Sequence, residues 1–196
     1  MAGDLEGAAA AIRDGELVVY PTETVYGLGA DALEPAAIER VFAAKDRPRD
    51  DPLSLAVPTV AAAAEYVELD GRTRACMDRF LPGPVTVVGP KAAVVPDALT
   101  GGRDRVGVRV PDHHLARALL VRIAPVTATS ANVSGRPAVR EPDELDPSLR
   151  AAVAVVLDGG RVPGGASTVV DPGRGVIHRR GRQADAVEAW LAELDR

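Results

Sequence analysis

Short apolar runs alternate along this chain with segments whose apolar residues recur at helical spacing, and this alternation limits the fold most. Residues 17–20 are typical of a buried strand, and similar runs lie at residues 53–57, 85–88, 105–110, 126–128 and 153–157. Helical spacing predicts a first helix capped by Asp4 and ended by Gly15, followed by helices at residues 35–44, 59–66, 72–80, 114–123, 141–150 and 184–194.

The turn signal Asp-Pro-Gly-Arg-Gly at residues 171–175 separates two extended runs, at 167–170 and 176–179. This pattern predicts a hairpin. Strands joined partly by helices and partly by a hairpin imply an α/β fold, a mixed sheet with flanking helices. The length of 196 residues favours a single domain that spans residues 1–196.

Composition narrows the function classes. The formal net charge is -5, so the molecule as a whole does not attract nucleic acid, and any phosphate binding depends on local cationic clusters. Aromatic residues make up only 3%, too few for a platform on which bases of a single strand could stack. Lysine is rare in this arginine-rich chain, so a lysine within a motif is noticeable.

The single cysteine, Cys76, excludes an intramolecular disulfide and a cysteine-based zinc cluster, and its place in a predicted helix indicates a buried thiol. The three histidines are not spaced as metal ligands, so we expect no protein metal site. The first residues carry no signal-peptide pattern and no apolar run is long enough to span a bilayer. We therefore expect a soluble, cytoplasmic protein that makes no membrane contact.

Three polar segments each follow an apolar stretch. Residues 21–32 read Pro-Thr-Glu-Thr-Val-Tyr-Gly-Leu-Gly-Ala-Asp-Ala, and the leading proline is expected to end the preceding strand and open a loop. Residues 45–52 form a charged run framed by prolines, and residues 129–135 combine small hydroxyls with an amide. Ordinary turns also use Pro, Thr and Gly, so the first segment alone is open to either interpretation.

The second and third segments supply groups that suit an anionic, phosphorylated ligand. Lys45 offers a compact charge and Arg47 a planar fork, while Ser130, Asn132 and Ser134 offer small hydrogen-bonding groups. Lys45 and Arg47 are expected at the exposed end of a helix, where they contribute little to the core. A solvated surface turn is the alternative, and the standard phosphate-loop and dinucleotide fingerprints are absent from the sequence.

Six motifs, in order over most of the chain, resemble the YrdC-like threonylcarbamoyl-AMP synthase family. They are Pro-Thr-Glu-Thr-Val-Tyr-Gly-Leu-Gly at 21–29, Lys-x-Arg-Pro at 45–48, Pro-Gly-Pro-Val-Thr at 82–86, Val-Arg-Val-Pro at 108–111, Ser-Ala-Asn-Val-Ser-Gly at 130–135 and Ser-Thr-Val-Val-Asp at 167–171. The resemblance implies a twisted mixed β-sheet with flanking helices and a large open cleft. It also implies a reaction in which L-threonine, bicarbonate and ATP give threonylcarbamoyl-AMP and pyrophosphate.

The resemblance also implies roles for individual residues. ATP would be held by Lys45, Arg47, Ser130, Asn132, Ser134 and Arg179, of which Lys45 and Arg47 would also serve catalysis. L-threonine would be held by Thr24, Arg109 and Ser167, with Arg109 paired to the substrate carboxylate. From its position at a strand end, Arg109 could equally be a structural ion-pair partner. Mg²⁺ would arrive with the ATP phosphates rather than in a protein cage.

The resemblance names partners as well. A separate tRNA threonylcarbamoyltransferase would accept the product and transfer its threonylcarbamoyl group to tRNA, and a weak direct contact with tRNA stays open. The longer relatives carry a further C-terminal domain that we do not expect here. Two alternatives remain: a paralogue of the same fold that binds nucleotide or RNA without efficient synthase activity, and a carbamoyltransferase-type module.

Overall fold

The computed structural model describes residues 2–194 and contains a nine-stranded sheet. Its strands are β1 (Val18–Pro21), β2 (Tyr26–Gly29), β3 (Ser54–Ala56), β4 (Val85–Pro90), β5 (Arg105–Arg109), β6 (Val126–Ser130), β7 (Val155–Val156), β8 (Thr168–Asp171) and β9 (Val176–Arg179). Its helices are α1 (Ala2–Arg13), α2 (Pro35–Lys45), α3 (Val60–Ala63), α4 (Gly71–Phe80), α5 (Asp97–Thr100), α6 (His114–Arg122), α7 (Pro147–Ala152) and α8 (Ala184–Leu194).

The sheet is mixed, as the alternation of elements predicts. The strand order is β7-β1-β2-β6-β3-β5-β4-β8-β9. Three pairs are parallel, β1 with β7, β3 with β5 and β4 with β8, and the other neighbours are antiparallel. The predicted fold class, a mixed sheet with flanking helices, is confirmed.

The two faces of the sheet are covered unequally. Side chains alternate between faces along a strand, and on β5 Val106 and Val108 enter the larger core while Arg105, Gly107 and Arg109 point the other way. Helices α2, α4, α7 and α8 pack over the first face. On the second face, α1 and α6 pack against β1, β3 and β6 through a smaller cluster. The rest of that face stays open, and this open part is the cleft.

The β1–β2 hairpin corrects the prediction for residues 21–32. Pro21 belongs to β1 and pairs with Tyr26, and residues 26–29 form β2 rather than a loop. A proline is tolerated at a strand end because only one ladder donor is lost there. Only residues 22–25 remain as the connecting loop, so their side chains are held close to the sheet.

Other boundaries differ in smaller ways. The helix predicted at 141–150 is divided into a 3₁₀ turn at Pro142–Glu144 and the short α7, because Pro147 lacks the amide needed to continue one helix across both. Helix α5 was not predicted. Helix α1 begins at Ala2, and the capping predicted for the Asp4 side chain lies outside the described residues. Cys76 is buried as predicted, and burial raises the pKa of its thiol to about 12.

Within residues 2–194 there is no helix with both the length and the apolar character needed to cross a bilayer.

Candidate active site

The open part of the sheet forms the floor of a cleft of about 1100 Å³. Small residues make up most of this floor, among them Gly27, Ser54, Ala56, Gly107 and Ala128. A Cβ atom at Gly107 would lie only 2.4 Å from Ser54 Oγ, so glycine keeps the floor low where β3 and β5 are adjacent. The volume lies at the upper end of ligand pockets and can hold a nucleotide together with a small second substrate.

Positive charge dominates the cleft wall, although the whole chain carries a net charge of -5. Two carboxylates, Asp51 and Asp104, face a larger set of arginines. These arginines are Arg47, Arg103, Arg105, Arg109, Arg140, Arg174 and Arg179. A concave site with this excess of cations concentrates anions.

Arg179 projects from β9 into the cleft and is fixed by Ser167. Its Nε donates to Ser167 O at 3.1 Å and its Nη2 donates to Ser167 Oγ at 2.8 Å. Burial lowers the pKa of Arg179, and the positive charges of Arg109 and Arg47 lower it further. An anion bound among the three guanidinium groups would relieve this repulsion.

Arg109 lies at the end of β5 and is held by the β1–β2 loop. Its Nη2 donates to Glu23 Oε1 at 2.6 Å and to Thr24 Oγ1 at 2.9 Å. Both Nη2 protons are thereby used, and Nε is buried without a hydrogen-bond partner. Nη1 makes no hydrogen bond to another described residue and is available to a ligand. The ion pair and an interaction with a ligand are therefore compatible in this geometry.

The two threonines of the loop determine which way the Thr24 hydroxyl points. Thr22 Oγ1 donates to Val25 O at 2.6 Å, which uses its only proton. The 2.9 Å contact between the two hydroxyls is then a donation from Thr24 Oγ1 to Thr22 Oγ1. Because Thr24 Oγ1 also accepts from Arg109, its proton is used and one acceptor lone pair is left, in a residue that is buried at the cleft wall.

Arg47 is fixed within the loop that follows α2. Its Nε donates to Asp51 O and its Nη2 to Pro52 O, both at 3.0 Å, and Nη2 lies 2.9 Å from Asp51 Oδ2. Asp46 adopts a left-handed conformation with φ of 48° and ends the helix. The loop therefore presents Arg47 to the cleft with little freedom.

Lys45 lies behind the cleft wall rather than on it, and its predicted exposed position is wrong. The side chain is 1% exposed, and Nζ donates to the backbone oxygens of Ser130 and Asn132, the latter at 2.6 Å. Lys45 follows Ile38 and Val41 on the buried face of α2, a helical spacing that was readable in the sequence.

The nine residues implied by the family resemblance thus fall into two groups. Six line the cleft: Thr24, Arg47, Arg109, Ser130, Ser167 and Arg179. The other three, Lys45, Asn132 and Ser134, support the Ser130 loop from behind. Ser130 Oγ donates to Asn132 Oδ1, and Ser134 N donates to Lys45 O at 2.8 Å.

Sequence reasoning missed several arginines of the wall. Arg105 could have been found, because it precedes Arg109 by four residues on one strand and therefore shares its face. Its guanidinium pairs with Asp171, which is fully buried, with Nε to Oδ2 at 2.6 Å. Arg140 and Arg174 lie in irregular segments, where no periodicity predicts a direction.

Known proteins resemble this chain over most of its length. The family model Sua5_yciO_yrdC, described as "Telomere recombination", matches residues 10–181. A threonylcarbamoyl-AMP synthase of Pyrococcus abyssi is 41% identical over 167 residues, which cover 84% of this chain and 49% of that protein. A threonylcarbamoyl-AMP synthase of Bacillus subtilis is 38% identical over 172 residues, which cover 83% of this chain and 48% of that protein.

A solved structure agrees in three dimensions. P. abyssi Sua5 complexed with L-threonine has a TM-score of 0.82 and 40% sequence identity, and the match covers 85% of this chain and 50% of that one. The fold and the site define a mixed-sheet α/β protein with an arginine-lined cleft. The chain belongs to the Sua5_yciO_yrdC family. It spans about half the length of the curated relatives it matches first.

Lys45 should make stability depend on pH above neutrality. Burial, followed by the charge of Arg47, lowers the pKa of its ammonium from 10.5 to about 8. Between these values the unfolded chain binds a proton that the folded chain does not, so unfolding free energy should rise with pH in this window, on the order of 3 kcal/mol for a fully buried group. Chemical denaturation of wild type and Lys45→Met at pH 7 to 10.5 measures this difference. Parallel pH profiles of the two proteins would contradict it.

Proposed function

We propose that this chain is a threonylcarbamoyl-AMP synthase, a nucleotidyltransferase that converts L-threonine, bicarbonate and ATP into threonylcarbamoyl-AMP and pyrophosphate. The observation that carries the proposal is the pairing of two cleft-lining arginines with small hydroxyls across one cleft, Arg109 with Thr24 and Arg179 with Ser167. The names of the relatives from P. abyssi and B. subtilis support it.

The threonine subsite would lie at the end of β5. Nη1 of Arg109 would bind the substrate carboxylate, an interaction of opposite charges in a partly desolvated wall. Thr24 Oγ1, which can only accept, would accept a hydrogen bond from the amine or from the β-hydroxyl of the substrate. Ser167 would orient the rest of the amino acid from β8.

The nucleotide would lie along the arginine-lined wall. Arg47, Arg179 and Ser130 line the cleft and would contact the phosphates. In the present arrangement Lys45 and Asn132 hold the Ser130 loop through their side chains and Ser134 through its backbone amide, and none of the three lines the cleft.

The reaction needs positioning and charge compensation more than a protein nucleophile. The threonine amine attacks bicarbonate and forms a carbamate with loss of water. A carbamate oxygen then attacks the α-phosphorus, the bond between the α-phosphorus and its bridging oxygen breaks, and pyrophosphate leaves. Fixed guanidinium groups offset the negative charge that collects on the phosphates, with no reorganisation during the step.

A magnesium ion fits this site only as a companion of the phosphates. Within residues 2–194 no group of three or more His, Cys, Asp or Glu side chains is placed to hold a metal. The cleft wall is mainly cationic, so the ion would take its ligands from phosphate oxygens and water, and it would supply charge neutralisation.

The product implies partners outside this chain. A tRNA threonylcarbamoyltransferase would consume threonylcarbamoyl-AMP, in the cytoplasm where tRNA is modified. Exposed arginines of the cleft wall would allow a weak contact with tRNA, although the net charge of -5 does not favour strong binding.

The direct test is incubation with ATP, bicarbonate and labelled L-threonine. We expect threonylcarbamoyl-AMP and an equal amount of pyrophosphate, both dependent on all three substrates. Nucleotide binding without product would favour the noncatalytic paralogue. Transfer from labelled carbamoyl phosphate instead would favour the carbamoyltransferase module.

Arg109→Lys should separate the two substrates. Lysine keeps the charge but cannot donate to Glu23, Thr24 and a ligand in the planar arrangement of a guanidinium. Threonine affinity should fall roughly 10-fold or more, while ATP affinity changes much less. Calorimetric titration of each ligand measures the two affinities. Arg122→Lys is the control, because Arg122 of α6 forms a 2.7 Å ion pair with Glu6 of α1. Equal weakening of both ligands would favour a purely structural role.

Amino-acid selectivity should follow the order threonine, serine, valine. Valine has no β-hydroxyl to donate to Thr24, which would leave buried polar groups unpaired at a cost of about 1–3 kcal/mol. Serine lacks only the methyl group, a loss of about 1 kcal/mol. Titration with the three amino acids checks the order, and valine binding as tight as that of threonine would exclude a pocket that recognises the hydroxyl.

A further inference from the structure

We propose that Glu23 is a positioning residue of the threonine subsite: its carboxylate holds Arg109 in the orientation that receives the substrate carboxylate. The proposal rests on the proposed function, because it takes Arg109 as the ligand of threonine. Glu23 itself does not line the cleft and is given no contact with substrate.

The two oxygens of Glu23 join two separate parts of the chain. Oε1 accepts from Arg109 Nη2 at 2.6 Å, and Oε2 accepts from the backbone amide of Asp112 at 3.1 Å. The side chains of Arg109 and Glu23 are 12% and 15% exposed, so neither moves freely in solvent. Glu23 therefore fixes both the guanidinium and the segment that follows β5, and it does so from the β1–β2 loop.

A second contact anchors that loop. Gly164 N donates to Thr24 O at 2.7 Å, next to Glu23, and Arg182 Nη1 donates to both Glu23 O and Gly164 O. The glycine-rich segment before Ser167 is thereby joined to the residues that orient Arg109. Both sides of the threonine subsite are held through the same short loop.

The charge of Glu23 has two opposing effects on an anionic substrate. A carboxylate beside Arg109 repels the carboxylate of threonine, which weakens binding. The same carboxylate uses one Nη2 proton and holds the guanidinium in one orientation while Nη1 keeps no protein partner, which strengthens binding. An arginine without such a partner is repelled by Arg179 and has several rotatable bonds. We infer that alignment outweighs repulsion. If alignment dominates, removing the charge of Glu23 weakens threonine binding, whereas if repulsion dominates, removing it tightens threonine binding.

Glu23→Gln tests which of the two effects on threonine binding is larger. Glutamine keeps the size, but its amide nitrogen must face either Arg109 Nη2 or the Asp112 amide, and both are donors. The misaligned guanidinium should raise the KM and the Kd for threonine roughly 10- to 100-fold, with the Kd for ATP unchanged. Glu23→Asp, which keeps the charge but is one methylene shorter, should weaken threonine binding less than Glu23→Gln does.

One variant serves as the control, and three outcomes would contradict the proposal. Glu39→Gln breaks an ion pair of the same 2.6 Å length with Arg49, at the exposed surface, and should leave both ligands unaffected. Tighter threonine binding by Glu23→Gln would mean that Glu23 is only a competing anion. Unchanged threonine binding, or equal weakening of threonine and ATP, would also overturn the proposal.

Further results separate the role of Glu23 from a failure of the variant to fold and from a failure of the proposed function. If Glu23→Gln does not fold, Glu23→Asp decides, because a purely structural ion pair would lower its melting temperature without changing threonine affinity. If the wild type itself neither binds threonine nor forms threonylcarbamoyl-AMP, the proposed function fails. If the wild type binds threonine and Glu23→Gln binds it equally well, the role of Glu23 alone fails.

Discussion

Unequal cover on the two faces of one sheet is the constraint on which the rest of this structure depends. Helices pack over one face, whereas α1 and α6 cover only part of the other. Apolar strand residues cannot face water over so large an area, so the uncovered floor contains small residues such as Ser54 and Gly107. The strands still carry a core on their opposite side, because side chains alternate. The cleft thus exists without loss of the core beneath it.

The arginines of the wall are held by carboxylates and hydroxyls of the same chain. Arg105 pairs with Asp171, Arg109 with Glu23, and Arg47 with Asp51. A buried ion pair gains little net stability, since each partner loses its hydration. Its benefit here is geometric, because each carboxylate limits the orientations that its arginine can adopt beside the cleft. An excess of positive charge remains, and an anionic ligand would neutralise it.

Lys45 is a motif residue that acts on the cleft indirectly, through its contacts with a neighbouring loop. Its ammonium binds two carbonyls of the loop that carries Ser130, while the backbone oxygen of Lys45 accepts from Ser134. The end of α2 and the Ser130 loop are joined by contacts in both directions. A change at Lys45 would therefore alter the cleft through the position of Ser130, even without a direct contact to a ligand.

The sequence by itself determined the fold class, the hairpin of β8 and β9, the burial of Cys76 and the family, because apolar periodicity, turn signals and motif order are local properties. It also located six residues that line the cleft. The sequence did not reveal the strand at Tyr26–Gly29, whose pairing with β1 and β6 is a long-range contact. Only the tertiary structure decided that Lys45 binds the carbonyls of the Ser130 loop, that Glu23 holds Arg109, and that Arg140 and Arg174 join the wall. Those outcomes depend on which segments meet across the sheet, and no local spacing encodes them.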